Sequence, residues 1–104
     1  MGAGMIESFV PGRIRLRSSL LRDGETGATL RAAFAAIPAV TSAELNPATG
    51  GLLLKYDSRV LTLERLMPLL PLLDQVGALE NEPPSPERAA KLRALLVKAL
   101  SLIL

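Results

Sequence analysis

Val10-Pro11-Gly12-Arg13-Ile14-Arg15-Leu16-Arg17 is the stretch that decides the fold. From Arg13 to Arg17 a cationic residue alternates with an aliphatic one. That two-residue period belongs to a strand with one buried and one wet face, so Ile14 and Leu16 point inward and Arg13, Arg15 and Arg17 outward. Met5–Val10 also reads as extended. Pro11 offers no ladder donor and Gly12 tolerates unusual dihedrals, so the pair predicts a bulge or bend within one long, kinked first strand.

Downstream, Leu30, Ala33, Phe34 and Ile37 form an i, i+3, i+4, i+7 stripe closed by Pro38, which predicts the first helix. Val40–Leu45 and Leu52–Tyr56 flank Asn46-Pro47-Ala48-Thr49-Gly50-Gly51, a composition suited to a hairpin turn. Thr62 is placed to cap a second helix with Leu63, Leu66, Met67 and Leu70 on one face, shortened or kinked by Pro68 and Pro71. Gln75–Leu79 is assigned a short fourth strand at the sheet edge. The resulting β-α-β-β-α-β order predicts an α+β sandwich of ferredoxin-like topology, with both helices on one face of an antiparallel sheet.

Asn81-Glu82-Pro83-Pro84-Ser85-Pro86 follows as a stiff, extended linker. Beyond it Leu92, Leu95, Leu96, Ala99, Leu102 and Ile103 share one helical face, opposite Glu87, Lys91, Ala94, Lys98 and Ser101. The expected organisation is a domain over 1–80, a proline-rich linker over 81–86 and an amphipathic helix over 87–104.

Composition narrows the chemistry. Among 104 residues there is no cysteine and no histidine, which excludes disulfides, thiol chemistry and iron–sulfur ligation. Only three aromatic residues, Phe9, Phe34 and Tyr56, are available, so the core must be aliphatic. The net charge is +2 and its distribution is uneven. Residues 1–85 hold eight Lys or Arg against nine Asp or Glu, whereas 86–104 hold Arg88, Lys91, Arg93 and Lys98 against Glu87 alone. The first residues carry Glu7 and no basic start before an apolar run, so no secretory signal is expected and a cytoplasmic location is the default.

The Pro-Gly-Arg-x-Arg-x-Arg segment, the Asn46 strand end, the Thr49-Gly50 turn and the strand ending in Tyr56-Asp57, in this order, resemble the cysteine-lacking branch of the heavy-metal-associated domains. The resemblance spans roughly residues 5–80 and implies the same ferredoxin-like fold. Cysteine-bearing relatives carry copper, zinc or cadmium to transport ATPases through a Cys-x-x-Cys pair in the loop after the first strand. Here that loop reads Ser18-Ser19-Leu20-Leu21-Arg22-Asp23, so no metal-site residue carries over and the link to metal transport rests on resemblance alone.

Three surfaces remain as candidates. Arg13, Arg15 and Arg17 would line the open sheet face, free to bind carboxylates or phosphates, or simply paired with acids such as Glu44 and Asp57. Nucleic acid is disfavoured because the strand has no exposed aromatic for base stacking. Asp23 and Glu25 are too few to ligate a hard ion and suit the N-terminus of the first helix better; Met67 reads as core filler. Neither a catalytic constellation nor a cofactor motif is present, so a non-enzyme without a cofactor is expected. Arg88, Lys91, Leu92, Leu95, Leu96, Lys98, Ala99, Leu102 and Ile103 form the surface of the terminal helix. It is too charged to span a membrane. It is suited to a partner protein, to a second copy of the chain, to docking on its own domain, or to an anionic membrane surface. The leading expectation is a non-enzymatic interaction or regulatory module, and the alternative is a peripheral membrane adaptor.

Overall fold

The computed structural model describes residues 5–103; the side chain of Ile103 and all of Leu104 lie outside that description. Strand β2 (Arg13–Arg17) has Ile14 and Leu16 buried and its three arginines exposed. It is preceded by β1 (Ile6–Val10) and followed by a 3-10 turn (Ser19–Arg22), helix α1 (Gly24–Ala35), and strands β3 (Val40–Asn46) and β4 (Gly51–Tyr56). The four strands form one antiparallel sheet in the order β1-β2-β4-β3. Helices layered on one face complete an α+β sandwich of the ferredoxin-like class.

Two expectations about the sheet change together. Pro11-Gly12 does not kink one long strand but reverses the chain, so that Val10 pairs with Arg13 across a two-residue turn. Proline followed by a glycine at φ +87° is the pattern of a type II turn. Gly12 also lies against β4, where its carbonyl accepts from the Tyr56 N–H at 3.0 Å. The hairpin puts β1 at the sheet edge beside β2. Gln75–Leu79, expected to supply that edge, is instead helical: α3 runs over Leu70–Ala78 and a 3-10 turn over Leu79–Asn81.

The helical choice follows from a longer pattern. Leu69, Leu72, Leu73 and Val76 are all buried at i, i+3, i+4, i+7, a stripe that continues through the segment read as a strand. Pro68 and Pro71 do not stop it. Each lies in the first turn of a helical segment, where a missing N–H forfeits no helical bond. The break they cause leaves α2 (Leu63–Leu66) a single turn followed by the 3-10 turn Met67–Leu69. The buried face also differs from expectation. Leu66 is buried, but Leu63 and Met67 are exposed, so Met67 is not core filler. Thr62 holds the N-cap position without a hydroxyl bond to the helix.

Residues 82–85 lie outside helix and strand, with Glu82 in an extended backbone conformation, and are tied to the helix that follows. Helix α4 (Pro86–Ile103) is capped by the Ser85 hydroxyl, which accepts from the Arg88 N–H at 3.0 Å. Arg88 Nη1 donates to the Glu82 carbonyl at 3.0 Å, and Lys91 Nζ meets the Glu82 carboxylate at 3.1 Å. The helix then lies on its own domain. Leu92 and Leu96 are buried in the common core, with Leu95, Ala99 and Leu100 packed partly against it. Leu102, placed with that face by its spacing, is 48% exposed, because the packed face turns toward Leu100.

Candidate functional site

The loop after β2 begins at Ser18, whose side chain is buried although it is polar. Burial is tolerated because the hydroxyl both donates and accepts. Ser18 Oγ donates to Glu80 Oε2 at 2.8 Å and accepts from the Leu20 N–H at 3.2 Å. The Ser19 N–H donates to the same carboxylate oxygen at 3.3 Å. The Ser18 N–H is bound to the Gly50 carbonyl at 3.0 Å, which anchors the loop to the β3–β4 turn. Leu20 and Leu21 plug the loop into the core. Glu80, 62 residues away in sequence, therefore ties this loop to the end of the helical layer.

Removing the Ser18 hydroxyl leaves the buried Leu20 N–H without its acceptor and Glu80 with the Ser19 N–H in place of two donors. Ser18→Ala is expected to cost about 1–3 kcal/mol in urea unfolding, the usual penalty of a buried group left unmatched. Glu80→Gln, which keeps an acceptor oxygen, should cost less than Ser18→Ala. Equal stability of Ser18→Ala and the native chain would show that the loop does not depend on this bond.

Asp23 occupies the N-cap position of α1, with Glu25 in the first turn. The Thr26 hydroxyl donates to Asp23 Oδ2 at 2.6 Å and, with the nearby Arg88 charge assisting, holds the Asp23 carboxyl below the ordinary carboxylate range. Both carboxylates border a cleft of about 260 Å³ between the starts of α1 and α4, together with Arg88 and Arg93. No three residues of the His, Cys, Asp and Glu class come together as a metal-binding group among the described residues.

The open face of the sheet is ordered by strand register. Along β2, Arg13 faces Lys55, Arg15 faces Leu53 and Arg17 faces Gly51 of β4. Glu44 and Ser42 of β3 lie beyond Leu53 and Lys55. On the other side Ser8 of β1 faces Arg15. Arg17 Nε is paired with Glu7 Oε1 at 3.2 Å. The partners that spacing suggested for these arginines are engaged elsewhere. Asp57 Oδ1 accepts from Arg59 Nε at 3.2 Å and from the Arg59 N–H at 2.9 Å; the Arg59 guanidinium holds the Asp57 carboxyl below its usual range. Glu44 Oε2 accepts from the Ser42 hydroxyl at 3.4 Å. The place of Lys55 beside Arg13 is not legible in the sequence, because it depends on register across two strands.

On α4 the cations divide. Arg88 and Lys91 are held by Glu82, whereas Arg93 and Lys98 lie exposed. No helix among the described residues is long and apolar enough to cross a membrane. A family model described as heavy metal associated domain 2 matches residues 2–99, which takes in most of α4 as well as the sheet. No curated protein and no solved structure gives a significant match to the chain.

Proposed function

The chain belongs to the heavy metal associated domain 2 family, and from that premise we propose a non-enzymatic protein-interaction or regulatory module in which the former metal loop has become a structural joint. The observation that carries this reading is the Ser18–Glu80 bond. The loop that bears cysteines in metal-carrying relatives is here filled by aliphatic side chains and fastened by a carboxylate from another element. Its hydroxyl and carboxylate already satisfy one another, so neither is poised for a soft ion. With no thiol and no imidazole in the chain, neither a cysteine nucleophile nor a histidine base is available.

Adsorption of α4 to a membrane is the weaker reading. Of the side chains a bilayer would receive, Leu92, Leu96, Ala99 and Ile103, the two leucines are already inside the domain, and two of the four cations are engaged with Glu82. Drawing the helix away would expose the core that it covers.

Calorimetric titration of the full chain with zinc and with copper(I) tests the proposal. No saturable heat is expected with either ion. A saturable site in the micromolar range or tighter would overturn the reading and return the chain to metal handling.

A further inference from the structure

The open sheet face carries a group of charges that the chain itself does not neutralise. Arg13 and Lys55 are directly opposite across β2 and β4, and Arg15 is diagonal to Lys55. All three are exposed, and among the described residues none has an ion-pair partner. Like charges set directly across a sheet oppose folding, and neighbouring strands are only about 4.8 Å apart. At the other end of the same face Arg17 is matched by Glu7. The positive excess is therefore confined to the end next to the Pro11-Gly12 turn, bordered by Val10, which is 53% exposed.

We infer that Arg13, Arg15 and Lys55 form a docking site for an acidic segment of a partner protein, one that presents closely spaced Asp or Glu side chains with an aliphatic residue to cover Val10. This deepens the interaction-module reading and rests on it. Charge complementarity selects the occupant. Guanidinium forks take carboxylates bidentately, and Lys55 adds a third donor group on the neighbouring strand opposite Arg13. A second copy of the chain meeting this face by two-fold symmetry would set the same cations against themselves. A polyanion long enough to run past the three cations fits less well than a short acidic segment, because it would meet Glu7 and Glu44 on the same face. Nucleic acid would also want an exposed aromatic, whereas Tyr56 and Phe34 are buried and Phe9 packs against the core.

The probe is a fluorescein-labelled peptide of alternating Glu and Val, read by anisotropy with the full chain at low salt. Saturable binding is expected, weakening as salt rises. The double variant Arg13→Gln/Lys55→Gln should lose affinity about tenfold or more, and Arg93→Gln/Lys98→Gln, with the same charge removed from α4, should stay near the native value. Thermal melting of Arg13→Gln/Lys55→Gln should match or exceed the native chain, since a like-charge pair is relieved, which separates lost binding from lost folding. Equal weakening in the two variants would reduce the effect to net charge and overturn the site. So would an absence of peptide binding, or tighter binding through the same residues to oligouridylate RNA or phosphatidylserine vesicles. Those failures leave the metal titration unaffected, so the two readings fall separately.

Discussion

Gly50→Ala is expected to destabilise the chain by about 2–4 kcal/mol in urea unfolding, combining a left-handed backbone penalty with forced overlap. Gly50 has φ +72°, and a β-carbon built there would lie 2.6 Å from the Ser18 carbonyl oxygen and 3.2 Å from Arg22 Cγ. The Arg22 side chain can swing aside; the Ser18 backbone cannot. Its oxygen accepts from the Leu21 N–H at 3.0 Å, and its own N–H is bound to the Gly50 carbonyl. Relief of the clash would thus disturb the loop that Glu80 fastens. Gly24 is the control: a β-carbon there meets nothing within 4 Å, and its backbone is in the first turn of α1. Gly24→Ala should be neutral or stabilising by up to about 1 kcal/mol. If both alanine variants behaved alike, the close approach of the β3–β4 turn to the loop would be wrong.

Leu92→Ala/Leu96→Ala is the second large effect, expected to remove about 4–10 kcal/mol, since a buried leucine truncated to alanine costs about 2–5 kcal/mol. A domain of this size has only about 5–15 kcal/mol to lose, so partial unfolding at room temperature is the expected result. The two leucines reach different neighbours. Leu92 borders the cleft shared with Leu20 and Leu79, while Leu96 lies over Phe34 and Leu73 beside an apolar void of about 40 Å³. Shortening Leu96 enlarges that void instead of filling it. Val97, 67% exposed on the same helix, should tolerate alanine with a change below about 0.5 kcal/mol. A loss under about 1 kcal/mol for the double variant would mean that α4 folds apart from the sheet. For the same reason, a chain shortened before α4 would lose part of its core, so lost partner capture in it would not by itself identify a binding surface.

The legible parts of this sequence were those encoded by short, repeated contrasts. Arg13-Ile14-Arg15-Leu16-Arg17 fixes a strand and both of its faces without outside help, and Asn46 through Gly51 carries its turn chemistry within itself. There the Asn46 side chain accepts from the Ala48 N–H at 3.1 Å, an Asx turn that the residue types suggest. Gln75–Leu79 is ambiguous by itself, because five residues are too few to separate strand from helix. The deciding stripe begins upstream at Leu69, hidden by two prolines that are harmless where they stand. Pro11-Gly12 is equally compatible with a bend and a reversal, and only pairing between β1 and β2 selects one. The candidate site divides in the same way. Exposure of the three arginines follows from alternation, whereas the Glu7 partner of Arg17, the place of Lys55 and the Ser18–Glu80 bond depend on register or tertiary approach.

The N-terminal origin of the edge strand bears on the order of assembly during synthesis. In a βαββαβ chain the strand beside the first one comes last, and the first strand waits with an open flank until the chain is nearly finished. Here every strand among the described residues has been made once Tyr56 is in place, and β1 and β2 close on each other across two residues. Only the β2–β4 pairing then needs distant segments to find one another, and the helices from Leu63 onward settle on a platform already built. The interval in which the inner strand can capture a neighbouring nascent chain is correspondingly shortened.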